Sequence, residues 1–560
     1  MGGSSGFRWL SLGGVGEIGK NCYVLDIEGK LLVIDVGMAF PDLRMFGVDI
    51  VIPDFSHLIK HQNRLRGIIL THGHEDHIGS LSYLLQDLKQ PPPIYGARFT
   101  LALVRPKLAE FGLGDTALTE FKPGDDFEVA GIKIETMRVT HSIPDACGLA
   151  VHTPAGLYLH SGDIKLDSMP VDGKLTDLAK LGRIAEAGIT LLSMDITNIE
   201  RTGRSGAESS VRPALRDYVA NHHGRAFITT FASNIHRIQQ AIDVAAELKR
   251  KVLVLGRTML ENVDIAQSLG YLKVPANTIV DPAEAERLKP ERLLVILTGS
   301  QGEPMSAMAR LASGDHRFVS VREEDLFILS ARPIPGNELA IYGVIDDLFR
   351  LGAEVIYGMD SGVHVSGHGY QDEIREYLQL VRPAFVIPNH GEFRHQMRFR
   401  KLADQWGTPT ACVTTAQAGQ VFHVTEGGVK LEEEVKAGEV FIAASGGADL
   451  SRRILNERLA LAEDGLLVFS IVLSADGGEI VSPPQIAGKG LLPEKEAPEL
   501  LSLIEQSVTE AVLRNRQRGP QYQLQLRNNI QNVIQRVIFE KTRINPVVIG
   551  MVSYANGTGA

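Results

Sequence analysis

The chain has 560 residues, a length that suits roughly three to four domains. With 44% hydrophobic and 22% charged residues, no apolar run near the ~20 residues of a membrane helix, and only Cys22, Cys147 and Cys412 without a CxxC, it reads as a folded protein of a reducing, cytoplasmic compartment. A net charge of −10 argues weakly against nucleic acid, although a groove holding divalent cations can be positive on an acidic protein.

Arg8 to Leu12, Asn21 to Ile27 and Leu31 to Asp35 read as strands, the last two joined by a turn at Glu28-Gly29-Lys30. Between the first two lies Gly14-Val15-Gly16-Glu17-Ile18-Gly19, formally GxGxxG. A dinucleotide site needs a helix directly after this motif. A strand follows instead, so the segment reads as a glycine-rich turn at the mouth of a site. Met1 to Gly6 has neither a basic nor an apolar region, so no signal peptide is expected.

Gly67-Ile68-Ile69-Leu70 is a buried strand, and Thr71-His72-Gly73-His74-Glu75-Asp76-His77-Ile78-Gly79 follows it. At a strand end, His72 and His74 point the same way. Imidazoles and carboxylates this close together suit a zinc- or manganese-class ion. So many ligands on one short loop cannot all reach one ion without strain, which suggests two. A helix is expected from Gly79 to Leu88, then strands at Phe127 to Arg138 and Gly148 to Leu159. After Gly206 helices and short apolar strands alternate, the pattern of a parallel sheet. Strand character next to histidines resumes at Glu354 to Tyr357 and Ala384 to Ile387. The last unit begins after Gly446-Gly447. It has a hairpin about Asp476-Gly477-Gly478, helical stripes at Leu500, Leu501, Ile504, Val508, Val512 and at Ile530, Val533, Ile534, Val537, Ile538, and a closing strand Val547 to Val552. Asn556 to Ala560 read as a frayed end.

Four further polar residues stand just past apolar strands: His141, Asp163, Asp195 and His390. Carboxyl ends of strands are where open sheets build sites. A lone histidine there is more often structural than a ligand. Together with the His72–His77 loop, these four make a metal centre the better reading.

Together, the HxHxDH loop, His141, Asp163 and His390 resemble the metallo-β-lactamase fold in its phosphodiesterase branch. Asp195, His364-Val365-Ser366-Gly367-His368-Gly369 and the His390 segment resemble the extra motifs of the β-CASP nucleases. With Gly13 to Asn21 and the added C-terminal unit, nearly the whole chain is similar to the bacterial ribonuclease J family. The fold so implied is α/β: a metallo-β-lactamase αββα sandwich with an inserted β-CASP α/β domain and a small α/β C-terminal domain. The expected boundaries are 1–205 and 348–445 for the two parts of the sandwich, 206–347 for the insertion, 446–464 for a linker and 465–560 for the last domain.

The resemblance implies two divalent ions of the zinc class, with Mn²⁺ or Mg²⁺ able to support activity. His72, His74 and His141 would hold one, Asp76, His77 and His390 the other, with Asp163 between them. It makes Asp76, Asp195 and His368 catalytic, His368 protonating the leaving 3′-oxygen and Asp195 orienting it. It also implies a 5′-monophosphate pocket near Ser233, His364 and Ser366, with Val365, Gly367 and His368 alongside. The residues themselves favour a phosphate site at the glycine loop before the helix from Gln371, and read Phe231 to Asn234 and Thr298 to Glu303 equally as helix caps. Arg257 and Arg332 are candidate phosphate contacts. The activity implied is 5′-to-3′ and internal cleavage of single-stranded RNA in maturation and decay. A purely internal-cutting nuclease is the alternative, and a small-molecule metallo-hydrolase or a non-catalytic scaffold fits less well. The implied partners are a second copy through the C-terminal domain, as dimer or tetramer, and members of an RNA-decay complex. No membrane partner is expected.

Overall fold

A computed structural model describes residues 6–42, 44–303, 305–334, 337–443, 451–475, 477, 479–491, 497–515 and 520–555. Asp476, Gly478, Gly446-Gly447, the first five residues and Asn556 to Ala560 lie outside them. The chain forms two compact units, residues 1–42 with 50–440 and residues 43–49 with 441–560.

In the first unit two sheets share one apolar core. One has eight strands, in the order Gly428–Glu434, Gln420–Thr425, Phe7–Gly13, Cys22–Ile27, Lys30–Ile34, Leu65–Leu70, Ile94–Ala97, Leu118–Phe121. The other has six: Phe385–Asn389, Ile189–Asp195, Gly156–His160, Cys147–Thr153, Ile132–Arg138, Asp126–Val129. Trp9, Leu25, Leu32 and Ile69 from the first meet Ile134, Leu149, Leu191 and Ile387 from the second, all fully buried. Each such side chain contributes roughly 1.5–3 kcal/mol by leaving water. Helices such as Leu178–Glu186 and Gln371–Val381, which pack on each other, complete the αββα sandwich.

Parallel pairing brings the site together. Lys30–Ile34 runs parallel to Leu65–Leu70. Gly156–His160, Ile189–Asp195 and Phe385–Asn389 are parallel neighbours in which Asp195 stands opposite Asn389. Parallel strands end on the same edge, so residues far apart in the chain emerge together there.

The insertion is a six-stranded, fully parallel sheet in the order Ile279–Val280, Lys251–Leu255, Leu293–Leu297, Ala226–Thr229, Leu326–Leu329, Glu354–Ile356. Glu354–Ile356 was expected to open the second part of the sandwich. In the structure it pairs with Leu326–Leu329 at the edge of this sheet. Strand character alone could not say which sheet this edge strand joins.

The second unit is a three-stranded sheet. Its central strand Leu466–Leu473 pairs antiparallel with Ile480–Lys489 and parallel with Val547–Tyr554. Leu500, Ile504, Val508 and Val512 of helix Ala497–Arg514, and Leu526, Ile530, Ile534 and Ile538 of helix Gln523–Thr542, are buried in its core. Segment 446–464, expected as a linker, contains the helix Arg452–Asp464, whose cap Ser451 accepts from the Ile454 N–H. No described helix is long and apolar enough to cross a membrane.

Candidate active site

Strand Leu65–Leu70 stops before the histidine loop, and His74 caps a short helix, Glu75–Ile78. His72 and His74 therefore lie on extended loop, not on the strand, yet His72 Nε2 is 3.0 Å from His74 Nδ1. His141 Nε2 is also 3.0 Å from His74 Nδ1. Asp163 Oδ2 lies 3.6 Å from both His72 Nε2 and His141 Nε2. On its other side it lies 3.2 Å from His77 Nε2 and 3.7 Å from His390 Nε2. His390 Nε2 is 3.0 Å from Asp76 Oδ2. Among the described residues three donor sets result, each with its atoms within 4.8 Å of one another: His72, His74, His141, Asp163; Asp76, His77, Asp163, His390; and Asp195, His368, His390. The first two have four donors each and share Asp163; the third has three.

Neighbours fix which nitrogen faces inward. His72 Nδ1 donates to Thr71 Oγ1 at 3.0 Å, and Thr71 donates to Asp35 at 2.7 Å. His77 Nδ1 donates to Asp35 at 2.8 Å, His141 Nδ1 to the Gly367 carbonyl at 2.8 Å and His390 Nδ1 to Thr197 Oγ1 at 2.7 Å. Each of these rings thus directs Nε2 at the cluster, the orientation that outer hydrogen bonds impose on metal-binding imidazoles. Burial first, and then the neighbouring histidines, push His72 and His141 well below the usual imidazole range, so both are neutral donors. Burial lowers His74 to about 4 in the same sense. Burial also disfavours charge on His77 and His390, but Asp163 and Asp76 outweigh it, holding His390 up at about 9. Three neutral imidazoles, and two ionised carboxylates that draw positive charge onto His77 and His390, fit a pair of zinc-class cations, whose binding would displace those protons.

His368 stands at the rim. Its Nδ1 donates to Asp195 Oδ2 at 2.8 Å, while Nε2 is 3.9 Å from Asp163. Burial lowers its pKa, but Asp195 and Asp163 outweigh that and raise it, which favours the protonated ring. Asp195 also accepts from the Ile164 N–H, the Thr197 N–H and the Thr197 hydroxyl, which fix its position.

Comparison with known proteins gives the family. Residues 15–221 match the metallo-beta-lactamase superfamily, 223–348 the ribonuclease J beta-CASP domain, 352–413 the Zn-dependent metallo-hydrolase RNA specificity domain and 453–554 the ribonuclease J C-terminal domain. Ribonuclease J of Corynebacterium glutamicum is 37% identical over 558 residues, 99% of this chain and 77% of the relative. That of Thermus thermophilus is 39% identical over 549 residues, 97% of this chain and 94% of the relative. The chain belongs to the ribonuclease J family. A crystal structure of a protein of unknown function from Enterococcus faecalis V583 shares the fold at a TM-score of 0.52 and 14% identity, over 75% of this chain and all of that one.

For this family member, the expected phosphate site at the start of helix Gln371–Val381 needs correction. The Gln371 and Asp372 N–H groups donate to the carbonyls of Arg201 and Gly203. Those of Gly369 and Tyr370 donate to the Ile164 carbonyl and the Glu373 carboxylate. The helix start is consumed by the protein's own acceptors, so any anion must be met by the loop before it. There the buried His364 Nδ1 makes no hydrogen bond of good geometry among the described residues, and burial first and Arg237 second lower His364 to about 3. Ser366 Oγ accepts from Asn198 Nδ2 at 2.8 Å and from the His368 N–H at 3.0 Å. Gly367 is required as such: a Cβ there would lie 2.9 Å from His141 Cε1. Val365 lies alongside, against Gly206.

Ser233 is not part of the metal cluster. It sits beyond strand Ala226–Thr229 in the insertion, where its neighbour Asn234 caps helix Ile235–Glu247. The segment Thr298 to Glu303 likewise leads to a capped helix, with Ser306 as its cap. Arg257 opens helix Arg257–Ser268 and is exposed, and the Arg332 carbonyl accepts from Gln301. The glycine-rich turn does lie at the site. Val15–Gly16 pairs with Gly391–Glu392, and the Gly14 carbonyl accepts the His390 N–H at 2.7 Å.

Asp35, Thr71, Thr197 and Asn198 are the participants that sequence reasoning missed. Asp35 carried the relevant signal, being a carboxylate just past an apolar strand like Asp163. Its φ of 60° and complete burial mark a position over-determined by its contacts.

Proposed function

We propose that this metal-dependent ribonuclease removes nucleotides from the 5′-monophosphate end of single-stranded RNA and also cuts internally. The observation that carries the reading is the juxtaposition of two donor sets sharing Asp163 with the His368–Asp195 pair, whose Nε2 lies 3.9 Å from that same Asp163. His72, His74, His141 and Asp163 would hold one divalent ion and Asp76, His77, His390 and Asp163 the other. When bound, such ions supply Lewis acidity at phosphorus and acidify water.

The chain's own residues do the rest. His368, protonated and oriented by Asp195, gives its Nε2 proton to the leaving 3′-oxygen and recovers one from water. Such general-acid help is worth roughly 10²–10⁴ in rate. With the 3′-oxygen leaving, the phosphate stays on the downstream RNA, so each cut regenerates a 5′-monophosphate end. His364 and Ser366 meet the terminal phosphate, with Ser233 contributing from the insertion. RNA is recognised through phosphates and 2′-hydroxyls rather than base sequence.

The C-terminal unit pairs two copies of the chain in this reading. Its sheet carries exposed Val481, Ile549 and Met551, large apolar side chains that a second copy would cover. Light scattering on the Met551→Arg variant tests that pairing.

One RNA with a labelled 5′ end, prepared as monophosphate, triphosphate or hydroxyl, tests the activity, with Asp163→Ala as control. Labelled mononucleotide released chiefly from the monophosphate form supports the reading. Internal fragments alone, regardless of the 5′ group, would replace it with an internal-cutting nuclease and remove the role given to Ser233 and His364.

A further inference from the structure

Lys165 lies two residues past Asp163 and is almost completely buried. Its ammonium donates to the Gly206 carbonyl at 3.1 Å and the Ser366 carbonyl at 3.1 Å, and lies 3.4 Å from Asp167 Oδ2. An ammonium has three N–H bonds, and these three acceptors account for all of them. Its backbone pairs with Thr140, next to the ligand His141. One side chain thus spans the strand end that carries Asp163, the segment by which the chain passes into the insertion and the loop by which it returns.

The returning loop, Val363 to His368, has no regular secondary structure, so side chains must place it. At its start Arg237, itself fully buried against Glu208, donates to the Val363 carbonyl. At its end Asn198 donates to Ser366 Oγ and the His368 carbonyl. Between them, the Lys165 ammonium is the charged group on the backbone of Ser366. The two crossing segments touch here: Gly206, at φ 85°, faces Val365. A buried ion pair adds little to stability over a well-packed apolar side chain. Its place beside the reacting groups is therefore better explained by what it holds there.

We infer that Lys165 is a positioning residue: through the Ser366 carbonyl it sets where His364, Ser366 and His368 stand relative to the metal cluster, and so couples recognition of the 5′-phosphate to cleavage. It touches neither substrate nor metal. The inference rests on the 5′-phosphate reading above. A displacement of about 1 Å in such a loop costs on the order of 10²-fold in rate.

The test is the ratio of kcat/KM for 5′-monophosphate over 5′-hydroxyl RNA, a ratio that does not depend on the fraction of enzyme that is folded. Lys165→Met is expected to lower it at least about tenfold, with metal content unchanged. Lys165→Gln, which keeps two N–H donors on a neutral group, provides folded protein where methionine does not and should fall in the same direction. Arg250→Met is the control. It also removes a buried cation that donates to backbone carbonyls, those of Gly224, Leu293, Val219 and His222, but inside the insertion. It should lose stability and keep the ratio. A ratio in the Lys165 variants equal to that of the parent, or lowered as much in Arg250→Met, overturns the inference. A parent ratio near unity instead overturns the 5′-phosphate reading. Lys165 is then judged on internal cutting, where turnover unchanged in Lys165→Met but lost in His368→Ala refutes it.

Discussion

At the scale of single residues, the site depends on side chains that lie outside both four-donor sets. Asp35 accepts from Thr71 and from His77 and so orients one ring of the second donor set directly and His72 through Thr71. Removing such an outer partner typically costs 10–100-fold in metal affinity. Asp35→Asn should weaken metal binding by about that factor, read by competition with a chromophoric chelator. His368→Ala should behave in the opposite way. Turnover falls by roughly 10²–10⁴ while metal content stays, because His368 belongs to neither of the four-donor sets that share Asp163. Loss of bound metal in that variant would make His368 a ligand and remove its role as acid.

At the scale of elements, the junction between helix Gln371–Val381 and the segment into the insertion is held by one carboxylate. Glu373 accepts from the N–H groups of Leu166, Ser205 and Tyr370 and from the Ser205 hydroxyl, at 2.7 to 3.0 Å. Glu373→Ala would leave these buried donors unpaired. A cost of roughly 3–5 kcal/mol is expected, visible as a lower urea midpoint. An unchanged midpoint would mean that the junction rearranges to find other acceptors. The Tyr370 contact, with those of Gly369, Gln371 and Asp372 to the Ile164, Arg201 and Gly203 carbonyls, explains why these N–H groups are not open to an anion, although the glycines before a helix read as an anion site in the sequence. The sequence reveals which donors a helix start presents but not which acceptors the fold brings to them.

At the scale of the whole molecule, buried neutral histidines make stability depend on acid. Burial and Arg237 hold His364 down at about 3 in the folded state, against about 6.5 in an unfolded chain. The unfolded chain therefore takes up a proton that the folded one refuses. The associated stability is fully present above pH ~6.5 and is lost as the pH falls towards about 3. The parent's stability advantage over His364→Asn should shrink steadily between pH 7 and pH 4 in urea melts of metal-free protein. A constant difference would show that His364 takes up its proton equally in both states.

The sequence by itself determined the chemistry. Seven candidate ligands, five histidines and two aspartates at or just past strand ends, point to a metal cluster by their spacing and local order, and hydrophobic periodicity names the strands and helices that carry them. Those are local properties, written in neighbouring residues. Tertiary structure decided what lies behind and between them. It made Asp35 and Thr197 orient the imidazoles, filled the helix start at Gln371 with carbonyls, assigned Glu354–Ile356 to the inserted sheet and set Lys165 between three segments. Each is a pairing across long stretches of chain. Sheet register and the burial of polar groups select such pairings, because an unpaired buried donor is costly and only the folded chain decides which acceptor is near.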